Sequence, residues 1–196
     1  MKRYLPLLFL VGSTISASAH PAQFHSQDML GAAQSGLLHP LAGFDHLLVM
    51  FAVGLWAVQI GGRALWFLPL SFIFSMMLGG AVGLCGEHQV LVEHGILASI
   101  ILLGMALGMA WRPSTLVAAL CVSAAGLCHG YAHGLEMPLG ALPVMFFAGM
   151  VITTSLLHAC GIGGGLLLRN HKWAMATRMA GLFLLAFALY DFYLPL

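Results

Sequence analysis

Six apolar runs dominate the chain, at residues 44–61, 64–86, 90–110, 114–135, 139–162 and 173–194. Each approaches or exceeds the roughly 20 residues that a helix needs to cross the hydrocarbon core of a bilayer. Short polar or glycine-bearing breaks separate them: Gly61-Gly62-Arg63, Gly86-Glu87-His88, Trp111-Arg112-Pro113, Glu136-Met137-Pro138 and the stretch from Gly163 to Lys172. The pattern predicts an all-α membrane protein, a bundle of six transmembrane helices, with no soluble domain and no long linker. Residues 20–38 are more mixed and read as a short lead, a surface helix. Residues 1–19 have the form of a cleavable signal peptide. Lys2 and Arg3 make the basic start, Leu5 to Val11 the apolar core, and Ala17-Ser18-Ala19 the small residues of a cleavage site. That core is too short to span a bilayer; a retained anchor is the alternative. The expected organisation is a signal peptide at 1–19 and a single six-helix domain at 20–196.

Composition sharpens this picture. Of the 196 residues, 61% are hydrophobic and 7% charged, against roughly a quarter charged in a soluble domain. The net charge of +1 provides no basic surface, so nucleic acid is not an expected partner. Ten histidines outnumber the six acids and the seven Lys plus Arg, and neutral imidazole is the commonest metal ligand in proteins. The four cysteines, Cys85, Cys121, Cys128 and Cys160, form no CxxC pair and read as small apolar packing groups; a Cys85–Cys128 disulfide is the alternative. Gly79-Gly80-x-x-Gly83-x-x-Gly86 and Gly104-x-x-x-Gly108 are faces on which helices pack closely.

Charge orients the bundle. With the mature N-terminus outside, the first, third and fifth connections face the cytoplasm. They hold Arg63, Arg112, Arg169 and Lys172, and Arg178 enters the last helix from the same side, as the positive-inside rule requires. The acids Asp28, Asp45, Glu87, Glu93, Glu136 and Asp191 then fall on or toward the outer side, and both mature termini lie there too.

Chemistry concentrates on that side. His129 and His133 are four apart, on one face of a helix with Cβ atoms about 5–6 Å apart, a bite suited to one metal ion. Glu136 extends the stripe with a hard oxygen donor. Gly130 and Gly134 remove bulk beside each histidine, so that a neighbouring helix or a hydrated ion can approach. His39 and His46 are seven apart, a rise of about 10.5 Å in a straight helix, too far to share an ion. Pro40 and Gly43 favour a break that folds His39 back beside Asp45 and His46. Asp45 and His46 then open the first membrane helix, where its positive dipole end favours a carboxylate. Glu93 lies about one turn inside an apolar run and reads as a buried acid in need of a partner, a ligand or a cation relay. Glu87, His88 and His94 are weaker candidates. His158 reads as a hydrogen-bonded helix histidine, with service on an inward exit path as the alternative, and His20 and His25 as part of a solvated tail. Imidazole plus carboxylate without thiolate suits Ni(II), Co(II), Zn(II) or Mn(II) better than Cu(I). No GxxxxGK[ST] sequence is present to bind ATP.

The stretch His39-Pro40-x-x-Gly43-x-Asp45-His46, followed by Met50, Gly54 and Ala57, resembles the first signature of the HupE/UreJ family. His129-Gly130-Tyr131-Ala132-His133-Gly134-Leu135-Glu136 resembles its second. Cys128 departs from the Phe expected there, a difference that touches packing more than binding. The resemblance covers the whole mature chain and implies a permease, not an enzyme, that takes up Ni(II) or Co(II) across the bacterial cytoplasmic membrane. It carries the functional residues onto His39, Asp45, His46, His133 and Glu136, with Glu93 beside them. The candidate metal ligands are thus His39, Asp45, His46, Glu93, His129, His133 and Glu136. No prosthetic group is expected; the ion binds transiently as substrate, and the partners are that ion and the lipid bilayer. A membrane-embedded zinc hydrolase and a haem-binding sensor with paired histidines are the rival readings.

Overall fold

The computed structural model describes residues 28–86, 89–167 and 173–193. The signal-peptide expectation, His20, His25, Glu87 and His88 lie outside them. Among the described residues seven helices follow one another: α1 (Met29–Ala42), α2 (Phe44–Ile60), α3 (Ala64–Gly83), α4 (Gln89–Gly108), α5 (Thr115–Leu135), α6 (Pro143–Leu167) and α7 (Trp173–Tyr193). No strand occurs among the described residues.

Among the described residues four helices are long and apolar enough to cross a membrane: Ala64–Gly83, Thr115–Leu135, Pro143–Leu167 and Met175–Tyr193. The pair α1 and α2, bent by 83° at their junction, passes the same test together, and Val92–Gly108 is a shorter apolar helix. Large apolar side chains cover the outside of the bundle, among them Trp66, Phe74, Val144 and Leu167. A soluble protein does not tolerate so much exposed apolar surface; a multi-pass membrane protein turns it toward lipid.

From residue 28 onward, the described part of the lead packs against the bundle instead of lying apart as a surface helix. α1 starts at Asp28, whose carboxylate accepts the Gly31 N–H at 2.6 Å and so caps the helix. Gly31, Ala32, Gly36 and Pro40 are buried, and α1 lies along the first half of α6, where the Thr153 hydroxyl donates to the Leu37 carbonyl at 2.7 Å. The expected break falls at Gly43, which has extended backbone (φ −95°, ψ 119°), while Pro40 stays inside α1 near its end.

α3 and α5 are the most intimately packed pair. A Cβ at Gly130 would collide with the Met76 carbonyl, and one at Gly79 with that of Leu127. Close backbone approach through small residues is how membrane helices associate when lipid is as apolar as the side chains. The core between the helices is filled by Met50, Trp56, Leu68, Phe72, Met76, Ile100, Leu103 and Phe146, all fully buried.

α4 closes with Ala110 in the left-handed region (φ 54°). The Trp111 N–H returns to the Ala106 carbonyl and that of Ala110 to Leu107, a Schellman end. Side chains of α2 hold this end: Gln59 donates to the carbonyls of Ala106 (2.9 Å) and Trp111 (3.0 Å), and the Trp56 indole to Trp111 (3.0 Å). All four cysteines are free thiols, so Cys85 and Cys128 are not bridged. Cys128 Sγ packs against Gly95 instead.

Candidate metal centre

The bend at Gly43 gives His39 and His46 different neighbours. His39 ends α1 and His46 lies in the first turn of α2, whereas His129 and His133 descend one face of α5. The ring of His133 lies between them, its centroid 4.9 Å from that of His39 and 4.4 Å from that of His46. His46 in turn lies 4.8 Å from His129. Four imidazoles thus form a row from the end of the bundle inward. His39, at one end of the row, retains 18% of its side-chain exposure and His129, at the other, is fully buried, which gives the row a wet end and a dry end.

Glu136 closes the wet end. It follows the last turn of α5, and its Oε2 is 3.0 Å from His39 Nε2 and 4.0 Å from His133 Nδ1. One ligand atom from each of His39, His133 and Glu136 lies within 4.8 Å of the others. Opposed donors around an ion with bonds of about 2.1 Å stand ~4.2 Å apart, close to the spacing of these three ligand atoms. Among the described residues this is the one group of three or more His, Cys, Asp or Glu side chains so placed.

Hydrogen bonds determine which imidazole nitrogens remain free. Asp45 Oδ1 accepts from His46 Nδ1 at 2.9 Å, so His46 Nε2 carries the lone pair. The single proton of Ser99 Oγ goes to the Ile96 carbonyl at 2.6 Å, leaving the hydroxyl oxygen to accept from His129 Nε2 at 3.0 Å. The lone pair of His129 is therefore on Nδ1. Neither atom has a partner, nor does either ring nitrogen of His133 by hydrogen-bond geometry. An unmet buried polar atom costs about 1–3 kcal/mol, and here four cluster on three touching rings. Tying one ring nitrogen to a carboxylate or hydroxyl while the other stays open is the arrangement that orients a metal-ligating histidine.

Of the seven residues singled out from the sequence, His39, His133 and Glu136 converge on one point, and His46 and His129 continue the row. Asp45 is tied to His46 and orients it. Glu93 is different: it lies exposed on α4, not buried as its place in an apolar run suggests, and it is not in the convergent group. A helix with one side toward solvent or lipid has exposed positions even in its apolar length. His46 packs against the rings of both His129 and His133. Gly130 and Gly134 admit a helix, α3, against Met76 and Gly80. Ser99 was not visible from the sequence: a lone serine in an apolar run carries no spacing signal that ties it to His129.

The fold and this cluster define a multi-pass helical membrane protein with an imidazole–carboxylate centre at one end of its bundle. Residues 8–190 match the HupE / UreJ protein family, and the chain belongs to it. It is 35% identical over 173 residues to Protein HupE of Rhizobium leguminosarum bv. viciae, an alignment that covers 87% of this chain and 91% of that one. No solved structure matches.

Proposed function

We propose that this protein is a permease for divalent transition metal, chiefly Ni(II) and also Co(II), that imports the ion across the bacterial inner membrane. The observation that carries the reading is the convergence of His39, His133 and Glu136 at the start of a row of imidazoles with unpartnered nitrogens. Three protein donors, one of them anionic, replace part of the ion's water shell at the mouth. His46 and His129 then present lone pairs to a cation that has moved inward. In this reading the mouth faces the periplasm, with six crossings and both mature termini periplasmic; Arg63 after α2 and Arg112 after α4, at the connections that would then be cytoplasmic, support it by the positive-inside rule. The ion is cargo, held weakly enough to be released.

The test is uptake of radioactive Ni(II) and Co(II) into proteoliposomes containing the purified protein. Wild-type protein is expected to take up both ions, and His133→Ala neither. Equal uptake by wild-type protein, His133→Ala and empty liposomes would end the proposal.

A further inference from the structure

Beneath the row of imidazoles lies a group of side chains that the mouth site does not use. α6 carries Thr154 and His158 one turn apart and hence on one face. The Thr154 hydroxyl is 3.5 Å from Met50 Sδ of α2 and 3.7 Å from Met76 Sδ of α3. All four residues are buried to 1% exposure or less. His158 Nδ1 lies 2.7 Å from the Met50 carbonyl, which can only accept, so Nδ1 holds the proton. The lone pair is then on Nε2, a buried atom with no partner. The group adjoins the dry end of the row, for the Phe72 ring packs 5.8 Å from His129 and 5.2 Å from His158.

We propose that these side chains form a second metal-binding station inside the bundle. Nε2 of His158 is its principal donor, with the Met50 and Met76 sulfurs and the Thr154 hydroxyl completing it, for a borderline-soft divalent cation such as Ni(II) or Co(II). The inference rests on the permease reading and adds to it a site through which the ion passes after leaving the mouth. The donor set supports this role. Met50 serves twice: its carbonyl fixes the tautomer of His158 and its sulfur faces Thr154. Every donor here is neutral, so the ion is held less firmly than at the Glu136 carboxylate, as onward release requires. Thioether and imidazole also disfavour Mg(II) and Ca(II), which bind through oxygen.

The decisive variant is His158→Asn. The asparagine amide nitrogen falls near the place of Nδ1 and still donates to the Met50 carbonyl, but nothing replaces Nε2. Nickel binding to the detergent-solubilised protein, measured by calorimetry, reports the mouth as the tighter, carboxylate-bearing site; Ni(II) flux into proteoliposomes reports the whole path. His158→Asn is expected to keep the mouth affinity within about twofold and to lose flux by about tenfold or more, the scale on which metal-site changes act. Wild-type flux in this variant overturns the inner station, because a histidine retained only for its hydrogen bond would be replaced without loss. Should His158→Asn fail to fold, Met76→Leu decides: it conserves volume and removes one sulfur. A severalfold fall in Ni(II) flux at unchanged mouth affinity supports the station, and wild-type flux refutes it. Wild-type protein that neither binds nor moves nickel would instead refute the permease reading itself.

Discussion

His39 and Glu136 meet at 3.0 Å although 97 positions separate them in the chain. The contact joins the end of α1 to the end of α5 and exists because α1 turns away from α2 at Gly43. It also sets the order of the site. The glutamate holds the more exposed of the two histidines it reaches, and His133 stands behind them with both ring nitrogens open. The cluster therefore has the Glu136 carboxylate at its more exposed end, with the buried His133 ring behind it.

Glu136→Gln removes the charge while keeping an oxygen acceptor of nearly the same shape. A charged partner strengthens such an interaction by about 1–1.5 kcal/mol over a neutral one, roughly five- to tenfold in affinity. Nickel titrations of the purified variant are expected to show a loss of that size at low salt, with thermal stability unchanged because the side chain is half exposed. Wild-type affinity would remove Glu136 from the ligand set.

Acid is expected to close the site. The ligating form of imidazole is the neutral one. Protons and metal thus compete for the same lone pairs, and binding releases protons. Nickel affinity measured from pH 7.5 down to 5.5 is expected to fall, by up to about tenfold per unit for each imidazole that must lose a proton. A flat profile over that range would show that no imidazole has to lose a proton before it takes up the ion.

How much of this was legible in the chain depends on what kind of contact is asked about. The two polar stretches around His39 and His133 stand out because ionisable groups are rare in apolar runs, and the need for a bend near Gly43 follows from helical rise alone. Periodicity says which residues share a helix face but not which faces meet. That is why His39 was expected beside His46, when His133 lies between them. Glu93 looked buried because the run around it is apolar, yet lipid-facing and core-facing positions are equally apolar in a membrane helix. α1 looked like a surface lead because its small residues, Gly31, Ala32 and Gly36, add little hydrophobicity, and small size is what lets it pack on α6. The tautomers of His46, His129 and His158 depend on partners in other helices or turns and have no signature in sequence.

The junction of α3 and α5 is predicted to be intolerant of added volume. At Gly130 a methyl group would strike the Met76 backbone carbonyl, which cannot move aside as a flexible side chain would. Gly130→Ala is expected to lower stability by about 1–3 kcal/mol, the usual cost of overpacking, and to displace His129 and His133 together. Thermal unfolding in detergent alongside nickel titration checks both effects. An unchanged melting temperature would show that the helices can separate at no cost.

At the far end of α4, Ala110 adopts φ 54°, a conformation that costs a residue with a Cβ about 1–2 kcal/mol and glycine very little. Ala110→Gly is expected to stabilise the protein, by about 1 kcal/mol or somewhat less after glycine's extra freedom in the unfolded chain is counted. Since this end is remote from the row of imidazoles, nickel affinity should not change. A lower melting temperature would mean that the Ala110 methyl contributes packing worth more than the strain.

Gly43 separates shape from chemistry most cleanly. Its backbone, φ −95° and ψ 119°, is open to any residue, so alanine introduces no conformational strain. A Cβ there would nevertheless stand 2.7 Å from both Asp45 Oδ1 and His46 Nδ1, the two atoms whose hydrogen bond orients His46. One of them has to move, and His46 Nε2 then loses its fixed direction. Gly43→Ala is expected to fold with stability within about 1 kcal/mol of wild type, yet to lose about ten- to a hundredfold in nickel affinity, as changes to the groups that orient a ligand do. Asp45→Asn, which keeps an acceptor for His46 but not the charge, should lose less than Asp45→Ala. If Gly43→Ala binds nickel as wild type does, the Asp45–His46 bond does not orient a ligand, and His46 has no part in holding the ion.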